Sequence, residues 1–247
     1  VELRNVTFGY GDKPVLVDVA FHAQPGTVTA IVGPSGSGKT TIARLISRFW
    51  DVDSGAVMVD GVDIRELGTE QLMSRLSMVF QDVYLFDDSL IANIRVGRPD
   101  ASDEEVFRAA DLSGVTSIAN RLGWHTSVGE GGRLLSGGER QRVSVARALL
   151  KQAPIVLFDE ATSALDAENE ANILAAMDEL REKSTFIVIA HKLDTIKSAD
   201  QIVVLDEHGH VSQLGTHSEL SDVPGIYRHF WQQRKAARGW KISSGRD

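Results

Sequence analysis

Cysteine is absent from this 247-residue chain. That absence removes a disulfide scaffold, a thiolate metal site and a cysteine nucleophile together. Also absent is any run near the ~20 apolar residues that a membrane-spanning helix requires. The longest apolar runs, Pro154–Phe158 and Phe186–Ala190, are strand-sized. No secretory leader is read at the start. Positive charge is not in surplus: 26 Lys and Arg face 34 Asp and Glu, a formal net charge of −8. That balance argues against a nonspecific nucleic-acid coat. Neither an internal repeat nor a low-complexity tract occurs. What remains is ordinary globular usage, 43% hydrophobic and 24% charged, in a chain long enough to bury a substantial core. The first residue is Val1 rather than Met, and Val1–Phe8 already reads as a strand. A piece of a longer polypeptide is therefore expected.

Val28–Val32 is a short apolar strand that runs into a Gly-rich turn, followed by a helix with Ile42, Leu45, Ile46 and Phe49 at helical spacing. Leu76–Phe80, Ile155–Asp159, Thr185–Ala190 and Ile202–Leu205 read as further buried strands. Ile173, Met177 and Leu180 share a helix face that Lys183 and Ser184 close. Val/Ile-rich strands alternating with helices argue for a mostly parallel sheet covered on both faces. Val1–Tyr10 and Pro14–Ala23 instead read as antiparallel strands around a Gly11-Asp12 turn. From Tyr84 to Gln152 helices and loops prevail, with Ser102 and Glu105 spaced as a capping box. The expected organisation is one domain: residues 1–83 and 153–236 as β-subdomain plus core, 84–152 as an inserted helical subdomain, and 237–247 as a flexible tail.

Three strings carry chemistry. Gly33-Pro34-Ser35-Gly36-Ser37-Gly38-Lys39-Thr40 fits the pattern G-x-x-x-x-G-K-[ST], with a strand before it and a helix after it. Such glycines let backbone N–H groups turn inward around nucleotide phosphates, and the helix start adds the positive end of its dipole. Lys39 would add a point charge, and the Thr40 hydroxyl would ligate Mg²⁺. Ile155–Glu160 runs four apolar residues into Asp159 and Glu160. Alone, the pair is equally a solvated strand end. Beside the glycine loop it reads as a metal-holding Asp159 and a Glu160 that polarises the attacking water. Leu135-Ser136-Gly137-Gly138-Glu139 combines capping-box spacing with two glycines that bare first-turn N–H groups, a second phosphate-binding end. Two cradles and one catalytic carboxylate make sense when each cradle completes the other's site in a dimer.

These strings, in this order, resemble the ATPase (nucleotide-binding) domain of ABC transporters over about Val1 to Arg234. The Leu135–Glu139 string resembles the family signature, with Glu139 where Gln is commoner; both serve at that capping position. The resemblance implies a P-loop NTPase (RecA-like) α/β core with an N-terminal antiparallel β-subdomain and an inserted helical subdomain. It implies ATP and Mg²⁺ as ligands, with Thr41 also among the nucleotide-binding residues. Tyr10 matches the aromatic that stacks on adenine. Gln81 matches the glutamine that touches Mg²⁺ and couples to the membrane domain. Asp166, in Ser163–Asp166, matches the segment crossing the dimer interface, and His191 the histidine on the γ-phosphate. Taken singly, Tyr10, Gln81 and His191 would read as ordinary structural residues. His208-Gly209-His210 reads as a polar turn rather than a metal site.

Thr126–Gly132 and Asn93-Ile94 resemble exporter-type members, in which a membrane domain precedes the ATPase on one chain. Arg48-Phe49-Trp50-Asp51 departs from the Phe-Tyr-Asp more usual there. With Arg238–Lys241 it resembles actinobacterial siderophore (mycobactin-type) transporters. The implied partners are a second ATPase domain, as homo- or heterodimer, and a fused or associated transmembrane domain. The implied place is the cytoplasmic face of the membrane, with no insertion by this stretch and no nucleic acid bound. The alternatives are a separately encoded importer subunit, an ABC-type ATPase acting on nucleic acid, and a degenerate site that binds without hydrolysing. About 120 residues without sustained heptads between Thr40 and Asp159 argue against the nucleic-acid class.

Overall fold

The structure, a computed structural model, describes residues 1–80, 82–159, 175, 177–178, 180–190 and 193–243, with only the backbone at 194 and 237–243. Two compact units emerge: Val1–Leu72 with Ile187–Asp247, and Met73–Phe186.

In the first unit, β1 (Glu2–Phe8) pairs antiparallel with β2 (Leu16–His22), as the Gly11-Asp12 turn predicts. On its other edge β1 pairs with β4 (Ser54–Val59), which returns as β5 (Val62–Asp63) to complete the order β2-β1-β4-β5. Asn5, at φ 48, sits in a register shift between Leu3 and Val6. The bulge lets Leu3, Val6 and Phe8 all be buried despite the broken alternation. The strands β4 and β5 were not expected; the clues in the sequence are the Val57/Val59 alternation and the Asp60-Gly61 turn.

The β3 strand (Val28–Val32) is buried along its whole length, as its apolar run predicts, and pairs parallel with β9 (Gln201–Leu205) from Thr29↔Gln201 to Val32↔Val204. β9 continues into an antiparallel β10 (Val211–Gly215). The turn between them is a polar one: Asp206 Oδ1 accepts from the N–H groups of His208 and His210, each at 2.9 Å. The boundary between the units falls within β8 (Thr185–Ile189), and Ala190 just beyond it donates to Ile31 O at 3.2 Å. α1 (Lys39–Ile46) follows β3 directly, and Ile42, Leu45 and Ile46 are buried. α7 (Leu193–Lys197), α8 (His217–Asp222) and α9 (Ile226–Ser243) close the unit. α9 is anchored by Tyr227, whose buried hydroxyl meets His217 Nδ1 at 2.7 Å; burial pushes its phenol up to about 12.

In the second unit, β6 (Leu76–Val79) pairs parallel with β7 (Ile155–Asp159), from Leu76↔Ile155 to Val79↔Phe158. α2 (Thr69–Arg75), within which the other boundary between the units falls, leads into β6. Between Tyr84 and Gln152 lie α3 (Leu90–Arg95), α4 (Asp103–Leu112), α5 (Thr116–Leu122) and α6 (Gly137–Lys151), with one isolated bridge between Ser89 and Ser127. The capping box expected at Ser102 and Glu105 opens α4. α6 packs on α3, α4 and β6, burying Val143, Ala146 and Leu150 as their spacing predicts. Met177 is buried and Leu180 accepts from the Lys183 and Ser184 N–H groups, whereas Ile173 lies outside the described residues.

Candidate functional site

The turn from β3 into α1 is built for backbone, not side-chain, recognition. Gly38 stands at the helix N-cap in the left-handed region, φ 92 and ψ 9, and contributes no capping side chain. A Cβ there would meet Leu16 Cδ2 at 2.4 Å. Gly36 also has a positive φ of 81. The loop therefore turns through two positions that L side chains avoid, and α1 opens without the oxygen that usually covers its first amides. An anion is the natural complement of such an end.

Lys39 is 7% exposed, and its Nζ donates to Gly33 O at 3.1 Å and Pro34 O at 2.7 Å. The ammonium is thus tethered across the loop by the loop's own first carbonyls. Ser37 is 1% exposed, and its Oγ has no hydrogen-bond partner among the described residues. A buried orphan hydroxyl is costly in a folded protein and marks a place where a polar ligand belongs. Thr40 is partly exposed and Thr41 buried. Tyr10, just after β1, is 47% exposed and stands 3.3 Å from Thr41 Oγ1 through its hydroxyl. The structure therefore brings Tyr10 to the helix that carries Lys39, Thr40 and Thr41.

Asp159 ends β7 as a buried carboxylate, in the second unit. The Thr40 hydroxyl and the Asp159 carboxylate are both hard oxygen donors, the chemistry that Mg²⁺ selects. Gln81, Glu160, Asp166 and His191 lie outside the described residues.

Ser136 caps α6 as its spacing predicts. Its Oγ accepts from Glu139 N at 3.3 Å, and Glu139 Oε2 accepts from Ser136 N at 2.8 Å. Ser136 and Gly137 are exposed, so this helix start faces solvent in the single chain. Burial raises the Glu139 carboxyl, but the Ser136 N–H and the Arg121 guanidinium outweigh it and hold the group below the usual carboxylate range. Glu139 therefore does the capping work of glutamine with a charge added.

The loop after β6 is organised by Asn93, which the sequence marks only as part of an exporter-like string, and by Arg147, which sequence reasoning missed. Asn93 Oδ1 accepts from Phe86 N at 2.9 Å and from an Arg147 guanidinium nitrogen at 2.6 Å. Arg147 also donates to Asn93 O at 2.6 Å and Tyr84 O at 2.8 Å, and burial lowers its pKa to about 10. A clasp from α6 thereby fixes the exposed aromatic pair Tyr84 and Phe86, rings 5.9 Å apart. Nothing in the sequence sets Arg147 apart, because the same helix also carries Arg140, Arg142 and Lys151.

A family model described as ABC transporter matches residues 16–163. The chain is 48% identical over 246 residues to the mycobactin import ATP-binding/permease protein IrtB of Mycolicibacterium thermoresistibile, covering 99% of this chain and 42% of that protein. It is 47% identical over 232 residues to the ATP-dependent lipid A-core flippase of Vibrio vulnificus (92% and 40% covered). It is 44% identical over 238 residues to the mitochondrial iron-sulfur clusters transporter ATM1 of Yarrowia lipolytica (95% and 33%). A solved bacterial Atm1-family ABC exporter with ATP bound superposes with a TM-score of 0.90 at 44% identity, over 94% of this chain and 41% of that one. The chain thus spans less than half the length of each of these relatives. No helix among the described residues is long and apolar enough to cross a membrane.

Proposed function

Since this chain belongs to the ABC transporter family, as an ATPase domain of exporter type with a P-loop NTPase fold, we propose that it is the motor of a membrane transporter, closing head-to-tail with a second ATPase domain around Mg-ATP. The observation that carries this reading is the β3–α1 turn, which combines an uncapped helix start, a Lys39 tethered to the loop's own carbonyls and a buried Ser37 hydroxyl with no partner among the described residues.

In this reading the N–H groups of Gly33–Thr41 cradle the phosphates, and the Lys39 ammonium meets the outer ones. Tyr10 stacks on adenine. Thr40, Gln81 and Asp159 hold Mg²⁺, which supplies neutralising charge to the triphosphate. Glu160 accepts a proton from the attacking water, and His191 steadies the terminal phosphoryl oxygens. The solvent-facing start of α6, Ser136–Glu139, meets the phosphates bound by the other domain, and Asp166 crosses the same interface. Donors on both chains then share one ligand, so ATP holds the pair closed and hydrolysis releases it. Residues 84–152 act as the helical subdomain, and the Tyr84–Phe86 surface faces the membrane domain. Such a domain works at the cytoplasmic face of the membrane.

For the cargo we propose an iron–siderophore complex, a reading supported by 48% identity to a mycobactin importer over nearly the whole chain. Its test is siderophore-bound iron uptake by cells whose transporter carries Glu160→Gln; undiminished uptake overturns it. For the nucleotide site, Lys39→Ala should weaken Mg-ATP binding at least tenfold by calorimetric titration. Unchanged affinity would remove Lys39 from the cradle.

A further inference from the structure

Trp50, which stands where the family resemblance expects tyrosine, is part of an aromatic group around Tyr10. The Phe8 and Tyr10 ring centroids are 5.0 Å apart at 85°, and those of Tyr10 and Trp50 are 5.1 Å apart at 87°. Tyr10 is thus engaged edge-to-face by two rings, a preferred geometry for aromatic pairs. Trp50 is itself 43% exposed, and it contacts Phe49 and lies under the Arg44 guanidinium at 5.9 Å. Arg44 also reaches the Tyr10 hydroxyl at 3.4 Å.

The seat of Trp50 is fixed by main-chain bonds. Arg48, at φ 53, turns the chain out of α1, and its guanidinium donates to Ile64 O at 3.0 Å and Leu67 O at 2.9 Å. Three residues after Trp50, Asp53 N donates to Thr7 O at 3.0 Å, and Asp53 Oδ2 accepts from Gly9 N at 2.9 Å. The segment carrying the indole is therefore stitched to the segment carrying Tyr10.

We propose that Trp50 is a positioning residue for Tyr10: its indole sets the plane of the phenol ring before the base arrives. This rests on the reading of Tyr10 as the adenine platform. An exposed tyrosine loses side-chain freedom when a base stacks on it, and a ring already braced loses less. Trp50 acts on the base only, through Tyr10, and not on the phosphates.

The experiment is calorimetric titration of the 247-residue chain with Mg-ATP and with magnesium tripolyphosphate, which has no base. Trp50→Ala should weaken Mg-ATP about three- to tenfold and leave tripolyphosphate unchanged. Trp50→Phe should restore most of the loss, and Trp50→Leu, which keeps bulk without a ring, should not. In a Tyr10→Ala background, Trp50→Ala should add nothing. Equal losses for both ligands, no loss, or additivity with Tyr10→Ala overturns the proposal. If Tyr10→Ala itself weakens Mg-ATP no more than tripolyphosphate, the platform reading falls, and the role of Trp50 with it.

Discussion

Asn93→Ala should cost the fold about 3 kcal/mol, because one buried side chain holds a whole loop. Asn93 is fully buried. Its Nδ2 donates to Phe86 O, Asp88 O and Ser89 O at 3.0–3.2 Å. Each of those carbonyls also accepts a main-chain N–H, from Asp88, Val128 and Asn93 respectively, so none is stranded by the truncation. The loss falls on the other side of the amide. Phe86 N–H, a part-buried donor, loses its Oδ1 acceptor, a cost of at most roughly 1–3 kcal/mol. Arg147 loses one of three bonds, and bonds to charged groups are worth about 1.5–3 kcal/mol. Water entering the vacated space recovers part of the total. Urea unfolding should show a lower midpoint at unchanged slope. Amide exchange at Phe86 should accelerate sharply while that of β7 follows only the global change. A stability loss under about 1 kcal/mol, or unchanged exchange at Phe86, would refute this view of the clasp.

Two further perturbations test the helix ends. Gly38→Ala should abolish measurable Mg-ATP binding and destabilise the chain by more than the ~1–2 kcal/mol of a left-handed alanine, since its Cβ would lie 2.4 Å from Leu16 Cδ2; calorimetric titration and urea unfolding check both. Glu139→Gln should keep the α6 cap but remove a pH dependence. The folded carboxyl titrates below its unfolded value of about 4.3, so its contribution is present above that pH and is lost as pH falls through the lowered folded value. The stability difference between wild type and Glu139→Gln should therefore shrink between pH 5 and pH 3; a constant difference contradicts the assigned hydrogen bonds.

What could be read from the sequence was local in origin. The β3–α1 turn, the capping boxes at Ser102 and Ser136 and the buried strands Val28–Val32 and Ile155–Asp159 follow from neighbours within a few residues, and the structure places them as read. The Arg147–Asn93 clasp spans 54 residues and trades side chain for main chain, so neither residue type betrays it. β4 and β5 are short, and Gly55 interrupts the alternation within β4, hiding the edge of the antiparallel sheet. Tyr10 was legible only through the family resemblance; its bracing by Trp50 was not legible at all, because Arg48 leaves α1 at a positive φ that the sequence does not announce.

The proposed motor stands on a nucleotide shared between two copies of this kind of domain. Its most direct test is the mass of Glu160→Gln with Mg-ATP, measured by sedimentation on the purified chain. The expected species is a dimer that holds two unhydrolysed ATP molecules and falls apart when Ser136→Glu is added, which sets a carboxylate against the partner-bound phosphates. A nucleotide-loaded monomer, or steady hydrolysis at the wild-type rate, would contradict it.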